Sequence, residues 1–298
     1  MKIRKLVTSI GLTVSSVLFV SNSAQAASFT SNVTNNDVAK GKGDVILNSI
    51  TQNGMTFSNF SYVNGANIEY NDDYTGGNSG AISTDHGDSV NMGGISRIEG
   101  LDENSLAHEQ NVVDFLGNNN LNKIIDTEDK GTFTLDLFFD SLIQEDNKGL
   151  DSLFFFERGM NSNMLIQALD SDGNTIGNQL FLKGKDKGIS KSLANDIQGV
   201  TRKQDQEYAG YGINTKEIGS KQKVGSWGVS LADLGVDSLS GVQIYASGKS
   251  YQGPDFTVVA RSSHNRNFAQ AAKVPEPGTI IGLGSVAALA FMRRRKSK

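Results

Sequence analysis

Cysteine is missing from this chain of 298 residues, proline is absent before Pro254, and tryptophan occurs once. Without cysteine there is no disulfide, thiol nucleophile, zinc ribbon or redox pair, so the fold must hold together by burial alone. Histidine is nearly as scarce: His86, His108 and His264 stand far apart and share no metal-ligand spacing. No Gly-x-Ser-x-Gly turn presents a nucleophilic serine, and no histidine lies in a triad context. What the chain has instead is 33 glycines and 15 phenylalanines. With so little proline, that balance favours many strands joined by Gly- and Asn-containing turns.

The two ends differ from everything between them. Lys2, Arg4 and Lys5 precede an apolar segment over residues 6–20, and Ala24-Gln25-Ala26 follows with the small-x-small pattern of a signal peptidase site, which places cleavage after Ala26. The short apolar region and the polar Ser21-Asn22-Ser23 argue against a permanent anchor there and for export through the Sec translocon. At the other end Val274-Pro275-Glu276-Pro277-Gly278 leads into an apolar run over 279–292, closed by Arg293, Arg294, Arg295 and Lys296. Those 14 apolar residues, rising ~1.5 Å each, cover ~21 Å of a ~30 Å hydrocarbon core. Snorkelling of the basic cluster lengthens the helix a little, so the run reads as a short transmembrane helix and a temporary anchor.

This tail resembles the PEP-CTERM sorting signal, recognised by exosortases in Gram-negative bacteria. A Val-Pro-Glu-Pro-Gly hinge, a Gly- and Ala-containing apolar stretch and a terminal Arg cluster follow one another in the required order. The resemblance implies cutting near Pro275 and Pro277 by a membrane protease, then transfer to the surface or release.

Removing both ends changes the charge. Three of the 28 Lys and Arg lie in residues 1–26 and five in 275–298, whereas only one of the 32 Asp and Glu, Glu276, is lost. Residues 27–274 therefore carry 20 basic against 31 acidic side chains, near −11, although the whole chain is at −4. Such a body repels nucleic-acid phosphates and suits an exposed, ion-rich setting.

Within the body the period is that of strands. Phe133, Leu135, Leu137 and Phe139 alternate with polar residues, which predicts a half-buried strand, and Leu153-Phe154-Phe155-Phe156 predicts a central strand covered on both faces. Residues 164–169 and 179–182 flank Asp170-Ser171-Asp172-Gly173-Asn174, where Asp172-Gly173 suits the positive φ values of a hairpin turn. Trp227, Val229 and Leu231, then Val242, Ile244 and Ala246, then Phe256, Val258 and Ala260 continue the alternation, with Gly253-Pro254-Asp255 as a rigid turn before the last. Leu106, Val112, Val113 and Leu116 instead recur at helical spacing before Gly117, predicting one helix across a sheet face. Residues 183–225 are Lys-, Gln- and Gly-rich and read as a long loop. The expectation is an all-β, antiparallel, jelly-roll-like sandwich over 27–262 with one or two short helices, a linker over 263–273, and the sorting signal over 274–298.

The body is also similar to a cyanobacterial group of exosortase-dependent surface proteins. The likeness rests on 120–126 (Asn-Leu-Asn-Lys-Ile-Ile-Asp), Phe138-Phe139-Asp140, Phe156-Glu157-Arg158-Gly159 with Asn161-Ser162, the Asp172-Gly173 hairpin and 231–236 (Leu-Ala-Asp-Leu-Gly-Val). It implies surface display and no assigned chemistry.

Several residues are candidate sites. Asp170-x-Asp172-x-Asn174 opens like a calcium loop, but Phe181 stands where the bidentate Glu of an EF-hand belongs. Asp126, Glu128 and Asp129 crowd one turn, and with Asp136 or Asp140 they would offer hard oxygen ligands to calcium; solvated turn acids are the plainer alternative. Asp72-Asp73, Asp85 and Asp88 stand in Gly-rich loops on the same terms. Glu157-Arg158, at the end of an apolar strand, calls for partners and reads as a structural salt bridge. Tyr62, Tyr70 and Tyr74 fall in a Gly- and Asn-rich region and Tyr208, Tyr211 and Tyr251 in later loops, where they would suit a carbohydrate-stacking platform; tyrosine merely tolerated in strands and loops is the plainer alternative. Asn32-Val33-Thr34 and Asn59-Phe60-Ser61 fit the glycosylation acceptor pattern.

No cofactor is required by any of this, and no residue is selected as catalytic. The sequence reads as an exported, exosortase-processed surface or extracellular-matrix protein with a non-catalytic structural or adhesive role, in contact with the membrane before processing. A carbohydrate-binding module that holds extracellular polysaccharide is the second reading. A glycoside hydrolase using two of the 31 body acids is the third.

Overall fold

A computed structural model of the protein describes residues 28–37, 42–72, 82–86, 106–127, 129–145, 149–185, 188–203, 206–214 and 221–263. The first strands are β1 (Phe29–Asp37), β2 (Lys42–Gln52), β3 (Met55–Phe57), β4 (Phe60–Ser61), β5 (Val63–Asn71) and β6 (Ile82–His86), followed by helix α1 (Leu106–Leu116). Then come β7 (Lys123–Thr127), β8 (Thr132–Gln144), β9 (Leu153–Arg158), β10 (Met164–Leu169), β11 (Thr175–Leu182) and α2 (Lys191–Asp196). The last elements are β12 (Thr201–Lys203), β13 (Glu207–Asn214), β14 (Lys221–Val229), α3 (Leu231–Leu234), β15 (Ser238–Ser247), α4 (Gly248–Tyr251) and β16 (Phe256–Arg261).

Eight of these strands trace a jelly roll. β7 pairs with β16, β8 with β15, β9 with β14 and β10 with β11, all antiparallel. The folded ribbon closes where β9 meets β16 and β10 meets β15. The result is β14-β9-β16-β7 in one sheet and β11-β10-β15-β8 in the other, the order of two interlocked Greek keys. β13 and β6 extend the first sheet and β12 and β5 the second, with β4 added beside β16. Among the described residues only the short β11–β12 ladder is parallel.

The predicted sandwich has a third layer. β1, β2 and β3 form a separate sheet, so the seven-stranded sheet is covered on both faces. Leu153 and Phe155 of β9 enter a core shared with the six-stranded sheet, which also holds Leu135, Leu137 and Trp227. Phe154 and Phe156 enter a second core with Val45, Leu47 and Ile50 of β2. The continuous apolar run of β9 is thus a period-two strand with an apolar layer on each side. Phe29 and Phe57 of the third layer meet the Phe154 ring at 4.8 and 5.7 Å.

Helix α1 forms as predicted and stops at Gly117, whose N–H donates to the Val113 carbonyl at 2.7 Å. It does not lie across one sheet face. It touches β5 at the edge of one large sheet and β6 and β7 at the edge of the other, closing the side of the sandwich. The next residues secure the third layer: Asn120 Oδ1 accepts from the Val45 N–H at 3.0 Å, and the Leu121 N–H donates to the Val45 carbonyl at 2.7 Å.

Three local expectations change. Residues 183–225 are not one long loop, for they contain α2, β12, β13 and the start of β14, with Leu193 and Ile197 in the inner core and Tyr211 and Val224 in the outer one. Leu231 does not continue the alternation of Trp227 and Val229; Ser230 and Asp233 cap each other reciprocally and turn the chain into α3. In the β10–β11 hairpin only Gly173 has positive φ, at 83°, because Asp170 Oδ1 accepts from the Asp172 and Asn174 N–H groups, both at 2.9 Å, and shapes the turn. The body also reaches one residue past its predicted end: Ser263 Oγ accepts from the Gln144 N–H at 2.6 Å. No helix among the described residues is long and apolar enough to cross a membrane.

Candidate functional site

The densest polar constellation lies where β9 ends. Glu157 and Arg158 are adjacent on a strand and therefore point to opposite faces. Arg158 does not pair with Glu157. Its Nη2 donates to Asp126 Oδ1 at 3.1 Å and to Asp255 Oδ2 at 2.7 Å, and its Nε reaches Asp255 Oδ2 at 3.1 Å. The Asp255 carboxylate also accepts from the Thr127 N–H at 2.9 Å. One guanidinium thus joins β7, β9 and the turn before β16. Burial pushes the Asp255 carboxyl up, and the Arg158 charge offsets only part of that rise.

On the other face Glu157 is 0% exposed. Gln206 Nε2 donates to its Oε2 at 2.9 Å, and Gln206 Oε1 accepts from the Lys185 N–H at 3.0 Å. Burial outweighs these hydrogen bonds and pushes the Glu157 carboxyl up to about 8, so it is mostly protonated at neutral pH. Nearby, Ser162 Oγ donates to the Gln252 carbonyl at 2.8 Å, and Asn163 Oδ1 accepts from the Gly184 N–H at 3.0 Å. These bonds stitch the loops at this end of the jelly roll to one another. They account for Asn161-Ser162 following Glu157-Arg158-Gly159 so closely: the segment is a knot of loop-to-loop bonds. A carboxyl closed to solvent in this way is placed to hold structure.

The candidate calcium ligands do not converge. Asp126 is engaged by Arg158, Asp129 is exposed, and Glu128 lies outside the described residues. Asp136 accepts from Gln243 Nε2 at 2.9 Å on the six-stranded sheet, and Asp140 accepts from Ser61 Oγ. Among the described residues no group of three or more His, Asp or Glu side chains is arranged to hold a metal ion. Asp170 is spent on its own turn, where hydrogen bonds from Asn174 hold its carboxyl below the usual value.

The tyrosines separate as well. Tyr251 and Tyr211 are buried, at 0% and 5% exposure, so neither belongs to a loop platform. Tyr62 is half-buried, with burial and Asp140 raising its hydroxyl. Tyr70 and Tyr208 are exposed, on different sheets, and Tyr74 lies outside the described residues.

Residues 273–296 match the PEP-CTERM protein-sorting motif. No curated protein and no solved structure is significantly similar to the chain, and the cyanobacterial likeness of the body rests on its residues alone. The motif makes this an exosortase-targeted surface protein, exported and sorted at the membrane. It spans Val274, Pro275, Glu276, Pro277, Gly278, Arg293, Arg294 and Arg295. These residues, like Ala24 and Ala26 at the predicted signal cleavage point, lie outside the described residues.

Proposed function

We propose that the mature chain is a structural or adhesive component of the cell envelope or extracellular matrix, with no catalysis of its own. In this reading the Sec translocon and signal peptidase deliver it cut after Ala26, and the short C-terminal helix holds it in the membrane until an exosortase removes the tail. The observation that carries the proposal is a sorting motif at 273–296 joined to a body whose described buried acids have internal partners: Asp126 has Arg158, Asp136 has Gln243, Asp151 has Gln52 and Glu157 has Gln206. Loss of the tail leaves the acidic body alone outside.

Two measurements test it. Mass spectrometry of surface and secreted fractions, with and without the exosortase, should find a mature C-terminus near Pro275–Pro277 only when the enzyme is present; a surface form that retains Arg293, Arg294 and Arg295 contradicts the processing step. Deleting the gene should weaken matrix cohesion without changing the rate at which extracellular glycans are broken down. Glycan turnover by the purified protein would overturn the non-catalytic reading.

A further inference from the structure

The outer face of the six-stranded sheet carries an ordered set of polar and aromatic side chains. Leu135 and Leu137 of β8 face the inner core, so Thr134, Asp136 and Phe138 face away from it. Cross-strand register sets Gln167 of β10, Gln243 of β15, Asp136 of β8 and Asn67 of β5 side by side. Neighbouring strands lie about 4.8 Å apart, so these four make one polar line running across the strands. On one side of the line Tyr245 and Tyr70 flank Thr134; on the other Phe138 stands between Gly241 and Gly65. Asp136 is buried within the line at 3% exposure, while Gln167, Gln243 and Asn67 are partly exposed and form the floor of a trough with rings along both margins.

Those rings are fixed in place. A Cβ on Gly241 would stand 3.0 Å from Phe138 Cδ1 and press on the Leu137 carbonyl, and one on Gly173 would lie 3.6 Å from Phe138 Cζ. Glycine at these positions lets the Phe138 ring lie down across β15 toward the β10–β11 turn. Tyr245 is held edge-on by buried Tyr251, at 5.8 Å and 83°, and the Tyr70 hydroxyl donates to Asp72 at 2.6 Å.

The amides are aligned in a similar way. Gln243 Nε2 donates to Asp136 Oδ1 at 2.9 Å, Gln167 Nε2 to the Gly177 carbonyl at 3.3 Å, and Asn67 Nδ2 to Glu69. An amide has two N–H donors and a carbonyl with two lone pairs, so each retains capacity after its orienting bond. No Lys or Arg stands on the three rows, and the body is strongly acidic, which disfavours a polyanion. A linear chain of hydroxylated rings advances by about one strand spacing per ring. It offers hydroxyls to such a floor and C–H faces to such margins.

We propose that this trough binds an extended, uncharged polysaccharide, with its hydroxyls on Gln167, Gln243 and Asn67 and its ring faces against Phe138 and Tyr245. The inference rests on the matrix reading above and names what the protein holds there. The test is affinity electrophoresis of the full chain through gels containing a neutral glucan, a neutral mannan or anionic alginate. At least one neutral gel should retard the protein, and alginate should not. Phe138→Ala and Gln243→Ala should weaken retardation roughly tenfold, about 1.4 kcal/mol, and Gln243→Ala should also lower the Tm because it takes the hydrogen-bond donor from buried Asp136. Gln167→Ala, on a partly exposed side chain, repeats the test at an unchanged Tm, and Asn32→Ala on the opposite outer sheet should leave retardation intact. Absence of retardation in both neutral gels, equal retardation in alginate, or insensitivity to Gln243→Ala and Gln167→Ala each overturns the trough. If those two variants still enter the matrix and support its cohesion, the trough has failed while the structural role stands.

Discussion

The two ends of the central strand β9 are both built from buried polar side chains, yet they hold different things. At the Arg158 end a full charge is balanced by Asp126 and Asp255 across β7 and the turn before β16. At the other end Asp151 and Gln52 exchange two hydrogen bonds: the Asp151 N–H donates to Gln52 Oε1 at 2.9 Å, and Gln52 Nε2 donates to Asp151 Oδ2 at 2.8 Å. Arg261 Nε donates to the Asp151 carbonyl at 3.1 Å, and its guanidinium lies 5.6 Å from the centre of the Phe57 ring. The first end orders strands within the middle sheet. The second fastens the third layer to it, since Gln52 closes β2 and Phe57 closes β3. Charge compensation is used where the jelly roll closes on itself, and reciprocal hydrogen bonding where an added sheet docks.

Removing Arg158 should break this comparison most sharply. Arg158→Met keeps the length of the side chain but leaves Asp126 and Asp255 in a largely desolvated site without their cation, at a cost of about 3–5 kcal/mol. Urea denaturation should show one cooperative transition moved to much lower urea, because β7, β9 and β16 lie at the centre of the fold.

The neighbouring Glu157 sharpens the same contrast through pH. Its carboxyl keeps a proton to about pH 8 in the folded chain, against an ordinary value of 4.5. Between those values the folded state binds the extra proton. Stability should therefore fall as pH rises from 4.5 toward 8 and level off above, by an amount on the order of a few kcal/mol. Glu157→Gln retains an acceptor for Gln206 and removes the ionisation, so its Tm should lose this slope and exceed that of the natural chain at pH 9.

These partnerships explain which parts of the molecule were readable in advance. The alternation of β8, the Asp172-Gly173 turn and the helix ending at Gly117 are local patterns, and all three appear. Glu157-Arg158 was legible as a pair in need of partners, but the partners were not: Asp126 and Asp255 lie 32 and 97 positions away, and neighbours on a strand cannot face one another. The third layer left a fainter trace. Its outward side chains, such as Asn32, Ser49 and Thr51, hydrogen-bond to one another, so its strands are polar on one side and short of apolar residues on the other. The segment over 183–225 hid for a related reason, since Leu193, Ile197, Tyr211 and Val224 are widely spaced and become core only in three dimensions. The trough likewise depends on register among four strands drawn from distant parts of the chain. The sorting motif alone needs no fold to be read, because order and spacing along the chain are its signal.

The smallest of these effects is the most local. Gln52→Ala removes both bonds to Asp151 and leaves buried polar groups short of a partner, which should cost about 1–3 kcal/mol. Most of that loss should fall on the third layer, because the jelly roll keeps its inner core and its Arg158 closure. The third layer still has its aromatic contacts to Phe154 and the Asn120 tie to Val45, so it should loosen without detaching. Hydrogen exchange should quicken in β1, β2 and β3 while β8, β9 and β15 keep their protection, and limited proteolysis should cut first within residues 28–57. If exchange instead accelerates equally in all three sheets, the third layer is an integral part of the jelly roll's cooperative unit, and the two ends of β9 do one job between them.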